Sequence, residues 1–124
     1  MVFTGKELGQ EGERVAADYL VGLHFEVLER NYRTRLGEID LIVRRGDRLL
    51  FVEVKTRHSF QKVSPLELIP RQKQLHISKV AQHYIARKRI TDLACEFALV
   101  IVDYSGEHVA CELLEGIFMC SWGY

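Results

Sequence analysis

Leu8, Val15, Tyr19 and Leu23 recur at helical spacing near the start of the chain. Thr4 followed by Glu7 forms a capping-box signature ahead of them and Gly22 offers a C-cap, so the spacing predicts a helix over about residues 5–21. Gly9 and Gly12 fall inside it. Each costs about 1 kcal/mol relative to Ala, which points to close packing, or to a closely approached backbone, near the helix start. The period then changes to two. HFEVLERNY (24–32), GEIDLIVRR (37–45) and RLLFVEVKTR (48–57) read as strands, the last two joined by the hairpin dipeptide Gly46-Asp47. A loop with one helical turn follows, for which Ser64, Pro65 and Glu67 give a second capping signature. Pro70 opens the second long helix, which runs to about Arg87 with Ile77, Val80, Ala81 and Tyr84 on its inner face. CEFALVIVDY (95–104) is apolar almost throughout, as in a strand buried on both faces, and EHVACELLEG (107–116) follows through a Ser105-Gly106 turn. The order α-β-β-β-α-β-β predicts an α/β fold, a central mixed sheet flanked by helices. At 124 residues this is one domain, residues 1–124.

The Gly46-Asp47 turn also fixes a register. With those two residues at the centre, opposed residues sum to 93, which sets Asp40 across from Glu53 and Glu38 across from Lys55. Alternation places these four on one face and Ile39, Leu41, Val43, Leu50, Val52 and Val54 on the other. Facing carboxylates are about 5 Å apart at Cβ and repel. Either one is protonated with a raised pKa or a cation lies between them, although Lys55 offsets part of the repulsion by itself. On this ground alone, a solvated face and a site both remain open.

Composition narrows the class without deciding the function. The chain is 48% apolar and 27% charged, with no run near the ~18 apolar residues of a membrane span and no apolar signal-peptide core. Cys95, Cys111 and Cys120 form no CxxC pair, which fits reduced thiols in a cytoplasmic protein and opposes a disulfide framework or zinc site. Net charge is zero, yet residues 71–89 hold six Lys or Arg and no acid, while residues 90–124 hold six acids and no Lys or Arg. Such asymmetry is compatible with one anion-facing surface. His76 and His83 lack a metal-binding spacing, and Tyr32, Phe60 and Trp122 read as packing before base stacking.

Asp40, a spacer, and then Glu53-Val54-Lys55 resemble the PD-(D/E)xK nuclease signature. With LGQEGERVAADYL, LERNYRTRLGEIDLI, LLFVEVKTR and the Arg71–Gln74 helix start, the chain resembles the YraN-like family from about Gly5 to Phe118. That is a bacterial family of predicted nucleases related to archaeal Holliday-junction resolvases. The resemblance implies a restriction-endonuclease-like core and Mg²⁺- or Mn²⁺-dependent hydrolysis of phosphodiester bonds in DNA. It extends to branched or structured DNA in repair or recombination, and to a homodimer like those of related resolvases. By position, Asp40 and Glu53 would bind the metal with the Val54 carbonyl, Glu13 would complete the acidic cluster, and Lys55 would orient or deprotonate the attacking water. Lys73 and Gln74 correspond to polar residues flanking such a site, and Arg35, Arg57 and Arg71 are candidate phosphate contacts. Two departures bear on substrate fit: Ile39 stands where a proline would precede Asp40, and residues 58–69 lack the expected loop glycine. Glu38 reads either as an orienting group for Lys55 or as its surface ion pair. The competing reading keeps the fold as a nucleic-acid-binding or interaction module with little or no cleavage. A nuclease acting on RNA is a third.

Overall fold

The computed structural model describes residues 5–58 and 65–118. Thr4, Phe60, Ser64, Cys120 and Trp122, and with them both predicted capping signatures, lie outside the described residues. The elements are α1 (Gly5–Gly22), β1 (Glu26–Thr34), β2 (Gly37–Arg45), β3 (Arg48–Arg57), a one-turn α2 (Pro65–Leu68), α3 (Arg71–Lys88), β4 (Ala94–Asp103) and β5 (Ala110–Glu115). The strands form one sheet in the order β1-β2-β3-β4-β5. Only the β3–β4 pair is parallel, so the sheet is mixed as predicted. That parallel connection is the one that contains α3, as a crossover requires.

Each sheet face carries one long helix. Ile77, Val80, Ala81 and Tyr84 of α3 pack on Ile42, Phe51, Phe97 and Leu99, with Phe51 and Tyr84 in edge-to-face contact. Ala16, Ala17 and Leu20 of α1 pack on Leu41, Val43, Leu50, Val52, Ala98 and Val100. The contact line of α1 is therefore set by small residues. Val15, Tyr19 and Leu23, expected to define the buried face, are half-buried at its margins. Gly12 belongs to the same line, and a Cβ there would meet Thr56 Cγ2 at 2.5 Å. The close approach expected of the glycines holds for Gly12; a Cβ on Gly9 meets nothing within 4 Å.

Helix ends also differ in one respect from expectation. Gly22 is still helical, and His24, at φ 72°, takes the left-handed turn. Phe25 N–H donates to Leu20 O and His24 N–H to Val21 O, the paired bonds of a Schellman ending. Arg89 (φ 53°) ends α3 in the same way, with Ile90 N–H donating to Ile85 O. The final hairpin is also looser than a Ser105-Gly106 turn implies. Asp103 pairs with Ala110, leaving a six-residue connection. Asp103 holds that loop by accepting from Ser105 N at 2.8 Å.

The β2–β3 register follows the turn arithmetic: Leu41 lies opposite Val52, Ile42 opposite Phe51 and Val43 opposite Leu50. Pairing ends there. The single apolar face expected of the hairpin is also interrupted, because Leu41, Val43, Leu50, Val52 and Val54 face α1 whereas Ile39 joins Ile42 under α3. The phase slips at Asp40. On β1 the pairs Arg30–Leu41 and Tyr32–Ile39 bracket Asn31, whose φ of 51° marks the matching irregularity.

Candidate metal and catalytic site

The site lies where the β2–β3 ladder opens. In a two-residue hairpin, the pairs 45–48, 43–50 and 41–52 exchange backbone bonds, so Val54 N–H should next donate to the Ile39 carbonyl. Instead Asp40 Oδ2 accepts it at 2.8 Å. The side chain of β2 replaces its backbone, and the two strands separate while β3 stays paired with β4 through Arg57–Asp103. The same edge of β3 that offers Val54 N–H also turns the Val54 carbonyl toward the gap.

Four acids and two lysines reach this opening from four elements. Glu13 comes from α1, one residue beyond the tight contact of Gly12 with β3. Glu38 and Asp40 come from β2, Glu53 and Lys55 from β3, and Lys73 from the first turn of α3. One carboxylate oxygen from each of Glu13, Glu38 and Asp40 lies within 4.8 Å of the others. Asn31 of β1, with its amide nitrogen turned to the acids, donates to Glu13 Oε2 at 3.0 Å and to Glu38 Oε1 at 3.2 Å. The left-handed backbone of Asn31 thus serves to bridge two carboxylates. Asn is among the few residues that adopt that conformation readily.

Glu53 is almost wholly buried, with a side-chain exposure of 7%, and its Oε1 lies 2.7 Å from Lys73 Nζ. Burial, then the negative charge of Asp40, pushes the Glu53 carboxyl up to about 7 despite the opposing pull of Lys73. Burial and the charge of Asp40 also raise Glu13. Lys55 is held below the usual lysine range by burial and by the Lys73 ammonium beside it. Burial alone would lower Lys73 too, but its bond to Glu53 raises it.

An all-carboxylate donor set suits a hard divalent cation such as Mg²⁺ or Mn²⁺ better than zinc. Burial first, and the Asp40 charge second, raise the carboxyls of Glu13 and Glu53, and a cation among them would relieve the second. On donor chemistry and crowding, the Glu13–Glu38–Asp40 cluster could hold a metal ion. A cleft of about 570 Å³ opens beside it, lined by Gly37, Glu38, Asp40, Glu53, Pro70, Gln72, Lys73, His76 and Ile77.

Residues 12–102 match the profile of the uncharacterised protein family UPF0102. The chain belongs to that family, the YraN-like group. A UPF0102 protein of Syntrophus aciditrophicus is 39% identical over 115 residues, covering 93% of this chain and 91% of that protein. One from Geotalea daltonii is 44% identical over 97 residues, covering 78% and 76% respectively. One from Alkaliphilus metalliredigens is 46% identical over 99 residues, covering 78% and 87%.

Within this UPF0102 chain, Asp40, Glu53, Lys55, Glu13 and Lys73 come together at the opening, but Asp40 reaches it by bonding Val54 N–H and not by pairing opposite Glu53. Glu38 does not face Lys55. It lies opposite Arg33 on β1, with Arg33 Nε at 2.9 Å, and turns its other oxygen to Asn31. The β1–β2 hairpin, closed by Arg35-Leu36 with Gly37 at φ 148°, claims it. Gln74 points elsewhere, its amide donating to the Ile69 carbonyl at 2.9 Å. Arg57 is engaged by Asp103 at 2.6 Å, while Arg35 and Arg71 are exposed. Asn31 and Gln72 escaped sequence reasoning, and His76 was weighed only as a metal ligand and set aside. The available signal was helical spacing, His76 lying three residues after Lys73 and four after Gln72, and Asn31 had none.

Proposed function

We propose that this UPF0102 protein is a metal-dependent endonuclease that hydrolyses phosphodiester bonds in DNA, acting on branched or structured DNA in repair or recombination. The observation that carries the reading is the opened β2–β3 ladder. Asp40 gives up strand pairing to bond Val54 N–H, and so brings its carboxylate to Glu13, Glu38 and Glu53 beside two lysines. Leaving repelling groups together in this way is a cost that fold stability does not explain.

Asp40, Glu13 and Glu53, with the Val54 carbonyl, would hold Mg²⁺ or Mn²⁺, and Glu38 adds a fourth carboxylate. Such an ion polarises a phosphoryl oxygen and lowers the pKa of bound water. Lys55, lowered by burial and by Lys73, is suited to orient or deprotonate an attacking water. Asn31 keeps Glu13 and Glu38 turned inward by donating to both. Exposed Arg35 and Arg71, with the basic outer surface of α3, would bind flanking phosphates.

One observation favours a binding module on the same fold: Lys73 already neutralises Glu53 without any metal. Incubation with labelled linear, flap and four-way-junction DNA, in Mg²⁺, Mn²⁺ or EDTA, separates the two. The expected result is product in the metal lanes only, and none from Lys55→Ala. Undiminished cleavage by Lys55→Ala defeats the enzymatic assignment, and binding without cleavage promotes the module.

A further inference from the structure

Glu53 is fixed on a central strand and nearly sealed from water, so its carboxylate must have a cationic partner whenever it is ionised. Lys73 is that partner at 2.7 Å, but the two side chains differ in freedom. Glu53 is 7% exposed on a strand held by its pairing with β4. Lys73 starts from the first turn of α3, is 40% exposed, and reaches Glu53 across the cleft on a flexible four-carbon stem. Lys55 lies close enough to interact with Lys73, so two ammonium groups already share one acidic site. A divalent cation on Glu53 would be a third.

Resting on the function proposed above, we infer that Lys73 is a positioning residue which occupies Glu53 until a divalent cation binds, and which leaves it when one does. Lys73 is the group that can move: its side chain is 40% exposed and lines the cleft with Gln72 and His76, so its release needs only rotation of its stem into that space. Freed there, the ammonium becomes available to a phosphate oxyanion. Metal loading then prepares the cleft for an anionic strand, and the metal-free protein holds its own carboxylate closed. A cation seated on Glu13, Glu38 and Asp40 alone would instead leave Lys73 in place.

The test is reductive methylation of the full chain at fixed pH, with and without saturating Mg²⁺, quantifying label on Lys73 and on exposed Lys79 of the same helix by mass spectrometry. Lys73 labelling should rise several-fold with Mg²⁺ while Lys79 stays constant, and Glu53→Gln should expose Lys73 without metal. Calorimetric Mg²⁺ titration provides the second readout. Lys73→Met should bind roughly tenfold more tightly than wild type, and Lys79→Met should match wild type. If wild type binds Mg²⁺ with Lys73 labelling unchanged, or if Lys73→Met binds no more tightly, the role of Lys73 is wrong while the metal-site reading stands. If neither wild type nor Lys73→Met binds Mg²⁺, both fall.

Discussion

Replacing Asp40 by Asn tests the electrostatics of the site through stability alone. At an effective dielectric near 20, unit charges about 5 Å apart repel by roughly 3 kcal/mol before neighbours respond. Glu53 limits that cost by taking up a proton. Its rise from 4.5 to about 7 corresponds to roughly 3 kcal/mol above pH 7, most of it from burial and a smaller part from Asp40. Relief from Asp40→Asn at Glu53 is therefore about 1 kcal/mol, with a further contribution at Glu13. Against this, the Val54 N–H bond loses its charged acceptor, which costs about 1 kcal/mol, and Lys55 and Lys73 lose some attraction. The sign then depends on pH. A raised carboxyl favours the folded state below its unfolded pKa, and that contribution is lost as pH rises through about 7. At pH 8 without metal the relief and the losses nearly cancel, so Asp40→Asn should stand about 1 kcal/mol better relative to wild type than it does at pH 5, roughly 3–5 °C in melting temperature. At pH 5, with Glu53 protonated, the weakened hydrogen bond and the lost attraction to Lys55 and Lys73 remain, and the variant should be less stable than wild type. Thermal melts in EDTA at both pH values measure this. Mg²⁺ at pH 8 should raise the melting temperature of wild type but not of the variant. Equal effects at the two pH values, or a larger loss at pH 8 than at pH 5, would refute the crowding of charge at Asp40.

Gly12→Ala should destabilise by about 1–3 kcal/mol despite its better helix propensity, because its Cβ would lie 2.5 Å from Thr56 Cγ2. Urea melts of Gly12→Ala with and without Thr56→Ser should show rescue by the second change, and Gly9→Ala should cost nothing. Phe51→Ala removes a fully buried ring touching Tyr84 and Phe97 and should cost about 3–5 kcal/mol in the same assay. Ser105 and Arg57 hold Asp103 down at about 2, so its stabilisation is present above pH 3.8 and lost as pH falls through about 2. Asp103→Asn should therefore flatten the acid limb of a stability–pH curve.

Much of this architecture is written in local pattern. The hairpin dipeptide Gly46-Asp47 set the β2–β3 register because a two-residue turn leaves no freedom in pairing, and Leu41–Val52 through Val43–Leu50 follow it. Apolar continuity marked β4 as a doubly covered strand, and Phe97 through Val102 are buried. Pattern misplaced the buried line of α1, since helical spacing counts large side chains whereas the contact is made by Gly12, Ala16 and Ala17. It also missed the roles of His24 and Arg89, because left-handed helix ends at non-glycine residues carry no sequence mark. Part of the charge asymmetry is internal pairing: Arg48 bridges Glu96 and Glu115, and Arg57 holds Asp103.

The candidate site shows where such reading stops. Register arithmetic treats every side chain as a passenger on a continuous ladder, and so carries Asp40 to Glu53 and Glu38 to Lys55. A carboxylate can instead compete with a carbonyl for a backbone N–H, and its charge makes the bond stronger. Once Asp40 takes Val54 N–H, the strands part, the phase of β2 slips and Ile39 crosses to the α3 side. Glu38 is then left to its partners on β1, Arg33 and Asn31. The arithmetic therefore identified the strand level of the site while missing its mechanism of assembly. What gathers these acids is not alternation along an intact hairpin but the place where one acid breaks it.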